Sequence, residues 1–289
     1  LTGVLPIKGR VTVSAGLLDT LATKNQASRS KFGPIDFMAT HHYYFWSPLE
    51  KTVILPMAAF GLSYGAFIGL IWPLIAMTFV YTLSYLIFFV KDTDIKLKRG
   101  EDEIKISRIT RYVFPYILGI AAVISGVNFL FVFSVLTIYY MIVTRTFDFK
   151  KLLRYVDWSI VAWVAGIIFL SNIVREHTNE ITTFLGTTGL DITTTFGFMA
   201  ISGLSFIGAF ALGSSSRFGA ITVLLASIYG IEYLPWFFAV DFAGYILSPM
   251  HKCVAIGKLY FGTKLSTYVK ILSGWAGLLI VTAGVLLWI

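Results

Sequence analysis

The sequence holds one cysteine, Cys253, in 289 residues, which excludes an internal disulfide and argues against a cysteine-based metal centre. Its four histidines, His41, His42, His177 and His251, follow no haem or zinc spacing. Adjacent residues point to different faces of a helix, so His41-His42 is not read as a ligand pair and no metal is expected. Charge is scarce as well: Asp, Glu, Lys and Arg make up 13% of the chain, about half the usual share of a soluble domain. No nucleophile–base pair, nucleophile elbow or intramembrane-protease Gly-Asp or His-Glu pair occurs, so no enzyme is expected. The roughly 10-residue alternation of a β-barrel is missing too. The opening Leu1-Thr2-Gly3-Val4-Leu5-Pro6 shows no signal-peptide pattern and reads as the inside of an apolar element. The expectation is that helices precede this stretch, or that another polypeptide supplies them.

What is present is apolar: 57% of the residues are hydrophobic and 25 are Phe. Unbroken apolar runs of about 20 residues predict an all-α, polytopic membrane protein with the lipid bilayer as its solvent. A prokaryotic cell membrane is the expected location. The net charge of +8 does not point to nucleic acid, because the cations sit in short loops between spans, where they select topology.

Residues 51–90 are too long for one span, and Gly61-Leu62-Ser63-Tyr64-Gly65 supplies a turn. Residues 91–111 form a charged loop, and 112–143 should be two helices turning at Gly126-Val127-Asn128. A basic segment over 144–157 leads to a span over 158–174, then a polar stretch to 195. The loops flanking 112–143 are both cation-rich, so both belong in the cytoplasm. That orientation sends 158–174 outward. Residues 196–229 then read as a re-entrant hairpin with its tip at Gly213-Ser214-Ser215-Ser216-Arg217-Phe218-Gly219, because its second arm is too short to cross. Spans over 233–256 and 268–289 complete the chain, and 15–31 is placed in the cytoplasm.

Residues 47–54, Ser-Pro-Leu-Glu-Lys-Thr-Val-Ile, resemble 248–255, Ser-Pro-Met-His-Lys-Cys-Val-Ala. Asp36-Phe37 and Asp241-Phe242 precede them, and Arg-bearing polar breaks at 8–13 and 216–220 lie further upstream. The charge-derived topology orients the two segments oppositely, the pattern of an inverted repeat. The expected organisation is a first-repeat part at 1–90, a charged cytoplasmic loop at 91–111 and a second repeat at 112–289. Each repeat would carry a re-entrant hairpin and a broken helix.

Pro48 and Pro249 remove backbone donors and disfavour helix at Ser47 and Ser248. Groups freed in this way within a bilayer need partners, and half-helix ends attract ions. Gly213, Ser214, Ser215, Ser216 and Arg217 can together hold a carboxylate or oxyanion, with Lys8 and Arg10 as counterparts at the other face. Ser47 and Ser248 join them as substrate-binding candidates, and Glu50, His251 and Asp241 are candidates for ion coupling. The plain alternatives are an ordinary proline kink, a surface loop with a snorkelling Arg217, and a structural hydrogen bond for each titratable group.

The segments Leu5-Pro6-Ile7-Lys8-Gly9-Arg10-Val11-Thr12-Val13-Ser14-Ala15, Gly213-Ser214-Ser215-Ser216 and Ser248-Pro249-Met250-His251-Lys252-Cys253 resemble an uncharacterised family of prokaryotic membrane proteins. That family is allied to the ion transporter superfamily of citrate, gluconate, dicarboxylate and arsenite permeases. The resemblance spans nearly the whole chain. It implies two opposed hairpins and two broken helices around a substrate, with elevator-like or rocking motion. It places 8–14 at the cytoplasmic tip and 213–219 at the outer one. Gly9-Arg10 departs from a Gly-Gly-like pair, and Arg217 from a small or hydroxyl residue. The dicarboxylate carriers' Ser-Asn-Thr motif is missing, so their Na⁺ sites are not carried over. The expected function is secondary active transport of a small anion, coupled to H⁺ or Na⁺, by a symporter or antiporter without a cofactor. The alternatives are a non-transporting membrane subunit and a passive anion channel. A homodimer or additional membrane chains are the expected protein partners.

Overall fold

Asn25, Ser63, Asn128 and Thr194 each stand just before a helix, and each side chain accepts a hydrogen bond from a backbone amide two or three residues on. These caps satisfy amides that the first helical turn leaves without partners. At the other ends, Gly61, Gly213 and Gly262 close their helices in the left-handed region at φ 64°, 54° and 63°. Short polar punctuation thus cuts a nearly continuous apolar sequence into defined helices.

The computed structural model describes residues 10–22, 25–91, 111, 114–145, 154, 158–187, 189, 191–213 and 215–288. Within these, the side chains of 10, 21, 26, 159, 160, 163 and 215–218 are outside the description. The described elements run α1 Arg10–Leu21, α2 Gln26–His41, a 3₁₀ turn His42–Phe45, α3 Lys51–Phe60, α4 Tyr64–Phe89, α5 Phe114–Ile124 and α6 Phe129–Thr144. They continue with α7 Trp158–Glu176, α8 Thr178–Thr187, α9 Thr195–Leu212, α10 Ser215–Tyr229, a 3₁₀ turn Ile231–Tyr233, α11 Leu234–Leu247, α12 Lys252–Phe261 and α13 Leu265–Leu286. No strand occurs among the described residues. By length and composition α4, α9 and α13 can cross a membrane. Large apolar side chains such as Trp72, Phe88, Leu130, Phe131 and Val281 stand exposed, as expected of a surface that meets lipid.

The turns expected after 60 and at 126 occur, with Gly126 at φ 91°. Three elements add to or change the sequence reading. The described residues of 15–31, for which only a side of the membrane was expected, belong largely to α1 and α2, and Arg29 of α2 pairs with Asp19 of α1 while donating to the Tyr260 carbonyl at 2.9 Å. The polar stretch after 175 contains α8, where Thr178, Thr182 and Thr183 donate to carbonyls one turn back, so these hydroxyls find partners without leaving the helix. The second arm of the 196–229 pair starts at Ser215, so Ser215, Ser216 and Arg217 lie in the first turn of α10 instead of a loop.

The core centres on α11. Thirteen consecutive residues, from Leu234 to Ile246, are buried, as expected of a helix that is apolar all round. Helices α9, α10 and α13 pack on it, and the two arms α9 and α10 contact α11 far more than each other. Helix α2 packs against α1 and α12, while α10 also packs against α3. Glycines allow the closest crossings. A Cβ on Gly244 would run into the Phe206 carbonyl oxygen of α9, and one on Gly33 would meet Thr263 and Tyr268. Small residues at such contacts let helices approach without a hydrophobic drive from lipid.

The Gly244→Ala substitution is therefore expected to destabilise the purified protein by about 1–3 kcal/mol, because the obstacle is backbone and cannot rotate away. Gly69→Ala on α4, with nothing within 4 Å of the new methyl, should leave the melting temperature unchanged or slightly higher. Thermal unfolding of both variants in detergent checks the pair.

Candidate functional site

Two helices break at Ser-Pro, and the breaks are built alike. In the first, the Ser47 amide donates to the Tyr43 carbonyl at 2.8 Å, Glu50 to Ser47 at 2.9 Å and Val53 to Glu50 at 2.9 Å. In the second, Ser248 donates to Tyr245 at 3.3 Å, His251 to Ser248 at 3.2 Å and Val254 to His251 at 3.1 Å. The next helices, α3 and α12, end at Gly61 and Gly262, whose amides donate to Met57 and Lys258. From the serines onward each position lies 201 residues from its counterpart (248 against 47, 262 against 61), while the acceptors of the two serine amides, Tyr43 and Tyr245, differ by one residue in register.

Backbone groups near the breaks have named partners. The Tyr44 carbonyl accepts from the Thr52 hydroxyl and the Trp46 carbonyl from the Tyr64 hydroxyl, both at 2.6 Å. The Met250 amide donates to the Ser248 hydroxyl at 3.2 Å. Ser47 and Ser248 are both fully buried, and the Ser47 hydroxyl lies beside the Tyr116 phenol.

The tip between α9 and α10 rests on the second break. A methyl on Gly213 would come within 2.6 Å of Ser248 Oγ, 3.1 Å of the Met250 carbonyl carbon and 3.2 Å of the His251 amide nitrogen. Gly213, Ser248 and His251 are thereby brought together, while Glu50 lies buried at the first break. Of the tip residues, Ser215, Ser216 and Arg217 are placed here by backbone alone. Arg10 opens α1 by its backbone, and Lys8 and Ser214 lie outside the described residues.

Asp241 lies in the middle of α11, wholly buried. Its carboxylate accepts from Ser205 of α9 at 3.2 Å and from Thr222 of α10 at 3.5 Å. Both arms therefore reach the same acidic group. Asp36 of α2, equally buried, interacts with the Ser14 hydroxyl of α1. Each acidic residue thus meets a hydroxyl from the helix that precedes it in its own segment.

The two breaks meet through a cluster that the sequence reading did not find. His41, at the end of α2, places Nε2 3.0 Å from Nε2 of His251. The hydroxyls of Tyr44 and Tyr245 are 3.0 Å apart. Phe37 stacks on His41 with ring centroids 4.0 Å apart, and the Cys253 thiol is close by. His42 turns the other way, accepting from the Trp46 indole at 2.9 Å. The expectation that His41 and His42 diverge is correct; His41 finds its neighbour 210 residues along the chain. The sequence signals for this region were the Asp36-Phe37 pair, matched to Asp241-Phe242, and the 248–255 segment with His251; neither pointed to His41. A separate cavity of about 590 Å³, lined by Thr193, Phe198, Tyr229, Tyr233 and Trp236 among others, contains none of the predicted site residues.

The fold and site define a helical protein, membrane-compatible by its long apolar helices, in which two similarly broken helices meet at a buried polar cluster. Residues 1–289 match the family described as Protein of unknown function (DUF401), and the chain belongs to that family. No curated protein and no solved structure matches it.

Substituting Gly213→Ala adds the cost of a left-handed alanine, about 1 kcal/mol or more, to the collision with Ser248. It should lift the tip off the break and speed maleimide labelling of Cys253, which is half-buried in the parent. Mass spectrometry of labelling time courses reads the change, and an unaltered rate would show that the tip does not guard this region.

Proposed function

We propose that this protein is a multi-pass secondary transporter that moves a small organic or inorganic anion by alternating access, with the two breaks and the α9–α10 tip forming the substrate site. The observation that carries this reading is the contact of Gly213 with the 248–251 break, which brings a hairpin tip to a point where a helix has released its backbone groups. Such a meeting of helix ends at depth is how carriers bind ions without a dedicated charged pocket. The 201-residue spacing of the breaks and caps supports a repeat. The opposite orientations that the cation-rich loops give to its halves support an inverted one. Helices α9 and α10 are read as a re-entrant hairpin because both engage α11, although α9 alone has membrane length. The alliance with the ion transporter superfamily belongs to this proposal, as does assembly as a homodimer.

In this reading the substrate contacts are Gly213, Ser248, Ser47 and the α10 N-terminus with Ser215, Ser216 and Arg217. Asp241 is the coupling residue, since both arms reach it and a protonation change there would alter how they close. The test is uptake of radiolabelled citrate, succinate and gluconate into liposomes holding the purified chain. Saturable uptake with counterflow, abolished by Arg217→Ala, is expected. Linear uptake without saturation would point to a channel. No flux of any probe, with stable co-purification of other membrane chains, would point to a subunit. For coupling, Asp241→Asn is expected to abolish uptake driven by a proton or sodium gradient while sparing counterflow at equal ion concentrations. Loss of both together would assign Asp241 to structure instead.

A further inference from the structure

We infer that His41, His251 and Cys253 form a binding site for a single borderline-to-soft transition-metal cation of the Zn(II) or Cu(I) type, at the junction of the two broken helices.

The orientation of both imidazoles supports this. His41 Nδ1 lies 2.6 Å from the Phe37 carbonyl oxygen, and His251 Nδ1 lies 3.1 Å from that of Tyr245. A carbonyl oxygen only accepts, so both Nδ1 atoms carry hydrogen. The Thr40 hydroxyl, 3.1 Å from His41 Nδ1, has its own proton committed to the Asp36 and Phe37 carbonyls. The neutral rings are thereby fixed as tautomers with Nε2 as the acceptor. Those two acceptors face each other at 3.0 Å, an arrangement that a cation lying against both would stabilise. Anchoring of the remote ring N–H on a backbone carbonyl is the usual outer-shell arrangement of metal-bound histidine, and here it occurs twice.

Cys253 supplies the third donor. Its Sγ and one ring nitrogen of each histidine all lie within 4.8 Å of one another. Bonds of about 2.0–2.1 Å to nitrogen and about 2.3 Å to sulfur place tetrahedral ligand pairs roughly 3.4–3.6 Å apart. The imidazoles need to part by about 0.4 Å and the thiol to close by on the order of 1 Å, both small side-chain movements. Binding releases the thiol proton to solvent, leaving two neutral imidazoles and one thiolate. This donor set selects against Mg²⁺ and Ca²⁺, which prefer oxygen. With Cu(I) the unit is electrically neutral, which suits a site where His41 and His251 are buried. With Zn(II) it keeps a positive charge and an open fourth position. The site would tie α2 to α12 across the breaks.

The inference does not depend on transport, and its test reads metal directly. The full chain, purified in detergent and stripped with chelator, is titrated with Co(II) as a stand-in for Zn(II). In parallel it is titrated with Cu(I) under chromophoric competition. One equivalent is expected, and with Co(II) a sulfur-to-metal charge-transfer band. Cys253→Ser should lose that band while keeping weaker binding. His41→Ala and His251→Ala should each weaken binding by more than the roughly 10–100-fold that loss of an outer-shell partner costs. His42→Ala, one residue away, should bind like the parent. Circular dichroism and size-exclusion profiles separate loss of ligand from loss of fold, and Cys253→Ser reports on the site even if a histidine variant unfolds. Tight Cu(I) with weak Co(II) identifies the monovalent ion, and the reverse the divalent one. Failure of both metals to bind, or binding unaffected by Cys253→Ser and His41→Ala, overturns the inference and leaves a shared proton between the two Nε2 atoms.

Discussion

A backbone amide or carbonyl that leaves a helix within an apolar medium must find another partner, because no water is there to replace the lost bond. The structure turns on that requirement at two places. Pro48 and Pro249 force the release, and the same sequence of short turns absorbs it: the serine carbonyl accepts from the residue three positions on, which starts the next helix. What the turns leave over is taken up by side chains from neighbouring elements, Thr52 and Tyr64 at the first break. At the second, the His251 ring meets the Tyr245 carbonyl. The breaks therefore specify much of the surrounding polar sequence.

Close packing serves the same end. In a helical bundle bordered by lipid, burial alone gives helices little reason to prefer each other. Glycines at positions 33, 219 and 244 bring backbones near enough for dispersion contacts to decide. The polar anchors, Arg29 with Asp19 and Ser171 with Ser227, then fix which faces meet.

Much of the helix pattern was legible because its causes are local. Pro48, Pro249, Gly126 and the glycines at 61 and 213 act on the backbone where they stand, so the turns and breaks could be read one at a time. The pairing of Asp36 with Asp241 was visible in sequence, though its meaning needed the hydroxyls of Ser14, Ser205 and Thr222 brought in from other helices. Helix α8 was hidden by its polarity, since nothing in a Thr-rich stretch announces that its hydroxyls will bond back to their own turn. The His41–His251 contact was beyond sequence reasoning: the partners are 210 residues apart, and each alone resembles any buried histidine.

The burial of α11 has a mechanical meaning. A helix with one free face can roll or slide a little against its neighbours, exchanging one set of contacts for lipid. One enclosed along thirteen successive residues has no such freedom, because every rotation drives a side chain into a filled space. The shape of the molecule can then change only by displacement of whole blocks, with α11 carried along intact or serving as the axle about which the outer helices turn.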